Sequence, residues 1–116
     1  MTSVGSSLHF GAIADLGDGA LPATLTTLAT VRTGASVFVE AITLTNTGEG
    51  NRTCNIYLNR SGTRRRISPK DLIVRSGCMV TLNDGYSLLS GDTIDGQADL
   101  ASSIDYSIHG VERKLV

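Results

Sequence analysis

The residues best equipped for chemistry are basic, and they are bunched. Seven of the ten Lys and Arg residues are Arg52, Arg60, Arg64, Arg65, Arg66, Lys70 and Arg75. A guanidinium is planar and permanently charged, and it grips a carboxylate or phosphate through two parallel hydrogen bonds. Arg60, Arg64, Arg65, Arg66 and Lys70 are therefore the candidate contacts to an acidic partner surface. If Thr63-Arg-Arg-Arg-Ile67 is a strand, Arg64 and Arg66 share one face and Arg65 takes the other, so one continuous patch does not follow. A second reading stays open, because charge on a strand edge also blocks unwanted pairing with other chains. Nucleic acid is a poorer match: no aromatics are interleaved between Arg60 and Lys70 to stack on bases, and the net charge is −1.

The acidic counterpart comes later, at Asp84, Asp92, Asp95, Asp99 and Asp105. Oxygen-rich loops can hold Ca²⁺, but this spacing matches no EF-hand or repeat-type loop. Asp beside Gly, as in Asp84-Gly85 and Gly91-Asp92, is turn chemistry. The opposite signs of the two stretches permit another arrangement, in which basic residues of one copy meet acidic residues of the next. His9 and His109 stand far apart, and neither aligns in sequence with a nucleophile and an orienting carboxylate. No glycine-rich phosphate loop and no Cys/His ligand series is present. The expectation is a chain that is not an enzyme and that carries no metal or cofactor. Cys54 and Cys78 are read as reduced thiols packed as small hydrophobes, with a disulfide between them left open.

The elements that must position these groups read as β throughout. The 116 residues suit one domain. With 41% hydrophobic and only 4% aromatic residues, the core must come from Val, Ile and Leu. Residues 1–22 read as an N-terminal arm, rich in Gly, Ser, Ala and Asp, for which a short helix and an extended strand are both open. The start of the chain lacks the basic and apolar regions of a secretory signal. No apolar run approaches the roughly 20 residues of a membrane span. Residues 23–116 read as the folded domain.

Ser36–Asn46 is the longest strand candidate. A strict period of two puts Phe38, Ile42 and Leu44 on one face and Val37, Val39 and Ala41 on the other, with Glu40 interrupting the first. Apolar residues on both faces imply a central strand or one covered by a partner subunit. Thr47-Gly-Glu-Gly-Asn51 suits a hairpin loop. Cys54, Ile56 and Leu58 then alternate inward, as do Ile104, Tyr106 and Ile108. Pro69 cannot donate to a ladder, so the chain should leave its sheet there. Turn signals at Arg60-Ser-Gly62, Asn83-Asp-Gly85 and Ser90-Gly-Asp92 separate the short runs. The pattern predicts an all-β antiparallel sandwich or jelly-roll-like domain of about eight short strands.

Several segments in order also carry a resemblance. They are Ala41-Ile-Thr-Leu-Thr-Asn-Thr47, Cys54-Asn-Ile-Tyr-Leu-Asn59, Arg65-Arg-Ile-Ser-Pro-Lys-Asp-Leu72, Leu89-Ser-Gly-Asp-Thr-Ile-Asp-Gly96 and Ile104-Asp-Tyr-Ser-Ile-His-Gly-Val-Glu112. Together they make Val37–Val111 similar to a family of small virion structural proteins of tailed bacteriophages. The resemblance implies a β-sandwich capsid decoration (cement) protein that binds the outer surface of the major capsid protein shell. It also implies a homo-oligomer, with a trimer favoured, made in the host cytoplasm and located on the virion. A tail or head-fibre module is the alternative. The family has no catalytic residues to carry over, and neither nucleic acid nor membrane is an expected partner.

Overall fold

The computed structural model describes residues 12–114, with side chains described from residue 16. Among the described residues there are ten strands: β1 (Ala12–Ala20), β2 (Thr26–Thr30), β3 (Ala35–Asn46), β4 (Arg52–Arg60), β5 (Thr63–Arg66), β6 (Leu72–Val74), β7 (Met79–Leu82), β8 (Tyr86–Leu88), β9 (Thr93–Ala98) and β10 (Ile104–Lys114). They form two antiparallel sheets. Sheet A runs β1-β10-β3-β7 with β8 also on β3, and sheet B runs β2-β9-β4-β5 with β6 also on β4. The connections β1–β2, β3–β4, β6–β7 and β9–β10 each cross from one sheet to the other at the same rank, which is the jelly-roll order. All-β and sandwich-like is the class that the spacing of turns had implied.

Ten strands occupy eight positions. β5 and β6 are successive pieces on one side of β4, and β7 and β8 are successive pieces on one side of β3. Pro69 explains the first break. It has no N–H to give the ladder, and the Ser68 hydroxyl instead accepts the Ile56 N–H at 3.1 Å. Asn83-Asp-Gly85 makes the second break, with Gly85 at φ +82°. That segment steps the chain along β3 without reversing it, since β7 and β8 run the same way.

Loop 47–51 is not a hairpin loop as the sequence had suggested. It carries the chain from β3 in sheet A to β4 in sheet B. The buried Asn46 holds it there: Nδ2 donates to the carbonyls of Gly50 (2.8 Å) and Val74 (2.9 Å), and Oδ1 accepts the Gly48 N–H (2.9 Å). The true two-residue hairpin is Ser61-Gly62, where both residues have positive φ (55° and 82°). That is the turn whose twist matches antiparallel strands.

The core is aliphatic. Leu21, Ile42, Leu44, Ile56, Val74, Ile94, Ile104 and Ile108 are fully buried. Of the span read as an arm, residues 12–20 are an extended strand on β10, and Leu21 lies in this core. Residues 1–11 fall outside the described residues. β3 lies between β10 and the β7/β8 position, so it is central, but its faces are not those of a strict period of two. The pairing slips between His109 and Gly110, which leaves Glu40 as an extra residue of β3. Val37 and Val39 therefore join Ile42 and Leu44 in the core, and Phe38 turns outward. Leu16 in β1 and Leu28 in β2 are extra residues of the same kind, so both outer strands on that side are bulged. Bulges of this kind blunt free edges against further pairing.

Candidate functional site

The basic cluster sits on the β4–β5 edge of sheet B and the loop that follows. Ladder geometry divides it as alternation requires. Arg64 and Arg66 stand opposite Asn59 and Tyr57 on the outer face, and Arg65 stands opposite Leu58 on the other. Their chemistry is divided too. Arg60 reaches across the open side of the sandwich, donating from Nε to Asp92 Oδ2 at 2.9 Å and from Nη2 to the Ser87 carbonyl at 2.9 Å. Asp92 is buried and also accepts the Leu89 N–H at 2.8 Å. Arg60 thus clasps sheet B to the β8–β9 connection. Arg60→Met keeps the chain length and removes the charge. With Arg60 about half exposed, solvent screening limits the loss to about 1 kcal/mol, read as a fall of a few degrees in Tm.

Arg64 is held more firmly. Its Nε donates to Asp95 Oδ2 at 2.7 Å, and Asp95 is fully buried although it points to the outer face. Thr93 Oγ1 donates to Asp95 Oδ1 at 2.8 Å, and Asn59 Nδ2 adds a bond of 3.3 Å to Oδ2. Burial by itself would raise the Asp95 pKa. Hydrogen bonds from Arg64, Thr93, Thr27 and Asn59 outweigh it, and the net displacement is downward. Arg66 lies 5.4 Å from the centre of the Tyr57 ring, a cation–π distance. Arg52 and Asp99 approach to 3.7 Å. The acidic stretch therefore meets the basic one within a single chain, at Arg60–Asp92, Arg64–Asp95 and Arg52–Asp99.

Arg65 and Lys70 are different. Both are exposed, and neither takes part in an ion pair among the described residues. Arg65 borders a groove of about 200 Å³ with Leu58, Thr63 and Arg60. Leu58 gives the groove an apolar floor, and Arg65 is the one of its two arginines whose guanidinium is free to take a carboxylate-bearing side chain. Of the five candidate contacts, Arg65, Arg66 and Lys70 thus lie outside ion pairs, and of these Arg66 is held over the Tyr57 ring, which leaves Arg65 and Lys70 without a side-chain partner among the described residues. Sequence proximity cannot reveal which arginines are already spoken for.

The remaining reactive groups are dispersed. Ser107 Oγ lies 3.0 Å from His109 Nε2, a pair invisible in the linear reading of His109, but neither residue belongs to the groove above or to the clefts described below. Cys54 and Cys78 are both free. Burial, with a smaller contribution from Asp99, pushes the Cys54 thiol up to about 11, so at neutral pH it is a packed, unreactive thiol. Cys78 is exposed and not packed as expected. Among the described residues no group of three or more His, Cys, Asp and Glu side chains could hold a metal ion. An interior cleft of about 290 Å³ between the sheets is lined mainly by aliphatic residues such as Leu16, Val39 and Ile108. Arg32 and Glu112 pair in bidentate fashion at its rim.

No protein-family model matches the chain, and no curated protein matches it. Solved structures do share the fold. One is a subunit of the disulfide-linked pili that form Bacillus endospore appendages, at 14% identity and TM-score 0.52, with 100% of this chain and 98% of that one covered. Another comes from the acid-stable capsid of the Helicobacter pylori bacteriophage KHP30, at 12% identity and TM-score 0.52, covering 91% and 90%. At these identities the similarity is one of fold.

Proposed function

We propose that this chain is a structural virion protein that decorates and stabilises a bacteriophage capsid by binding the outside of its major capsid protein shell. The observation that carries the reading is the basic groove at the β4–β5 edge, with Arg65 and Lys70 free to meet an acidic surface. The body behind the groove is suited to the task, because the Arg60 clasp ties sheet B to the β8–β9 connection across the sandwich. Individual contacts of this kind are modest, but a shell presents many equivalent sites, and occupancy of the folded lattice stabilises it by mass action. The proposal includes self-association of the protein on that lattice.

The test is co-sedimentation of the purified chain with shells that lack it, followed by heating. Binding is expected on the order of hundreds of copies per particle, as a repeating lattice of sites requires, with shells surviving to higher temperature. The double variant R65E/K70E is expected to bind about tenfold more weakly while keeping its fold. Absence of binding, or binding that leaves shell survival unchanged, removes the decoration reading. Binding of a few dozen copies or fewer would instead support the tail or head-fibre alternative.

A further inference from the structure

The outer face of sheet A holds a feature that neither the core nor the basic groove uses. The bulge at Glu40 leaves Phe38 46% exposed, beside Leu89 at 58% and Val111, the cross-strand partner of Phe38. A groove of about 290 Å³ runs alongside, bordered by Ser36, Ser87, Leu89 and Arg113. A cavity of about 150 Å³ is enough to hold a benzene ring, so this groove has room for a phenyl side chain.

Charge brackets the patch. Along β3, Glu40 lies two residues to one side of Phe38. Ser36 lies two residues to the other, and its cross-strand partner is Arg113. Glu40 and Arg113 are exposed, and neither is in an ion pair among the described residues. From end to end the order is basic, apolar, acidic, over about 13 Å of strand. Turning a second copy about a two-fold axis that passes beside Phe38, on its groove side, brings Arg113 near the partner's Glu40 and Glu40 near the partner's Arg113. A two-fold interface needs one patch that complements itself, and this patch does.

We propose that this face joins two copies of the chain, with Phe38 of each seated in the groove of the other. The overlap sets the strength. β3 begins at Ala35, three residues from the axis, so about seven residues of strand overlap across the three positions β10, β3 and β7/β8. That is about 24 Å by 14 Å, or about 700 Å² buried in total. This is below the size of stable interfaces, so the pair dissociates at high micromolar concentration or above and fills where copies are crowded together. The inference gives a surface to the self-association included in the proposed function. Its test contains no shells, so its failure and the failure of shell binding are distinguishable.

Sedimentation equilibrium of the full chain, from about 1 µM to about 1 mM, is expected to show the mass rising from 12.2 kDa toward twice that value. Phe38→Ser should remain at the single-chain mass and keep a cooperative unfolding transition, lowered only by the loss of the ring's packing on Gly85. Glu40→Arg and Arg113→Glu should each weaken association by about tenfold or more, and together restore it to within about threefold of the original. The proposal is overturned by a mass fixed at one chain, by a mass that climbs to three, or by a charge-swapped double variant as weak as the single ones.

Discussion

Gly110→Ala is expected to abolish the native fold at physiological temperature. A Cβ built at Gly110 would lie 2.1 Å from the Phe38 carbonyl oxygen and 3.0 Å from its carbonyl carbon. Both are backbone atoms of β3, and the β3–β10 ladder is the long central pairing of sheet A, from Ile104↔Asn46 to Lys114↔Ala35. No rotamer change relieves the clash, so the two strands must separate where the Glu40 bulge already bends them. The cost exceeds about 4 kcal/mol, a large share of the 5–15 kcal/mol that holds an ordinary domain together. Gly96→Ala is the informative control. Its Cβ would meet Leu28 Cδ1 at 2.8 Å and Ile56 Cδ1 at 2.9 Å, the far ends of flexible side chains that can shift. Urea denaturation followed by circular dichroism ranks the two. A cooperative transition for Gly110→Ala close to that of the parent chain would show that the ladder yields there.

Asp95→Ala is expected to cost about 2–3 kcal/mol, because it strands the donors that converge on a buried carboxylate. The lower figure allows for Arg64, whose side chain is 47% exposed and regains water when its partner is lost. The same carboxylate gives the stability a dependence on pH. Its pKa is lower in the folded chain than in the unfolded one. Its contribution is therefore complete above the unfolded value, about 3.9, and is lost as pH falls through the folded value. Denaturation midpoints should stay level in this respect from pH 7 to about pH 5 and drop on the acid side of about pH 4. Asp95→Asn should be less stable at pH 7 and show a shallower acid drop. An unchanged acid slope in Asp95→Asn would assign that titration to another group.

The two positions differ in how far they could be read from the chain itself. Alternation identified Cys54 and Ile56, and likewise Ile104 and Ile108, as inward-facing, and all four are buried. Arg60-Ser-Gly62 announced a turn, though not that it closes a hairpin, and Pro69 announced the break that splits one strand position into β5 and β6. Such features rest on local chemistry: side-chain period, positive φ and a missing N–H. Loop 47–51 has equally good turn residues, yet it bridges two sheets, because turn composition says that the chain bends and not what it meets afterwards.

By itself, then, the sequence determined an aliphatic all-β domain, its punctuation, and the opposite faces of Arg64 and Arg65. Glu40 was even visible as an irregularity in the Ser36–Asn46 pattern. Only the tertiary structure decided that the irregularity is a bulge, sending Val37 and Val39 inward and Phe38 out, since a one-residue slip inverts every side chain beyond it. It alone sorted the basic cluster. Arg60 and Arg64 are spent on Asp92 and Asp95, about thirty residues away in the chain, Arg66 lies over Tyr57, and Arg65 and Lys70 remain available. The reason is physical: strand pairing and cross-sheet contacts join residues remote in sequence, and the partner a charge finds depends on which strands become neighbours.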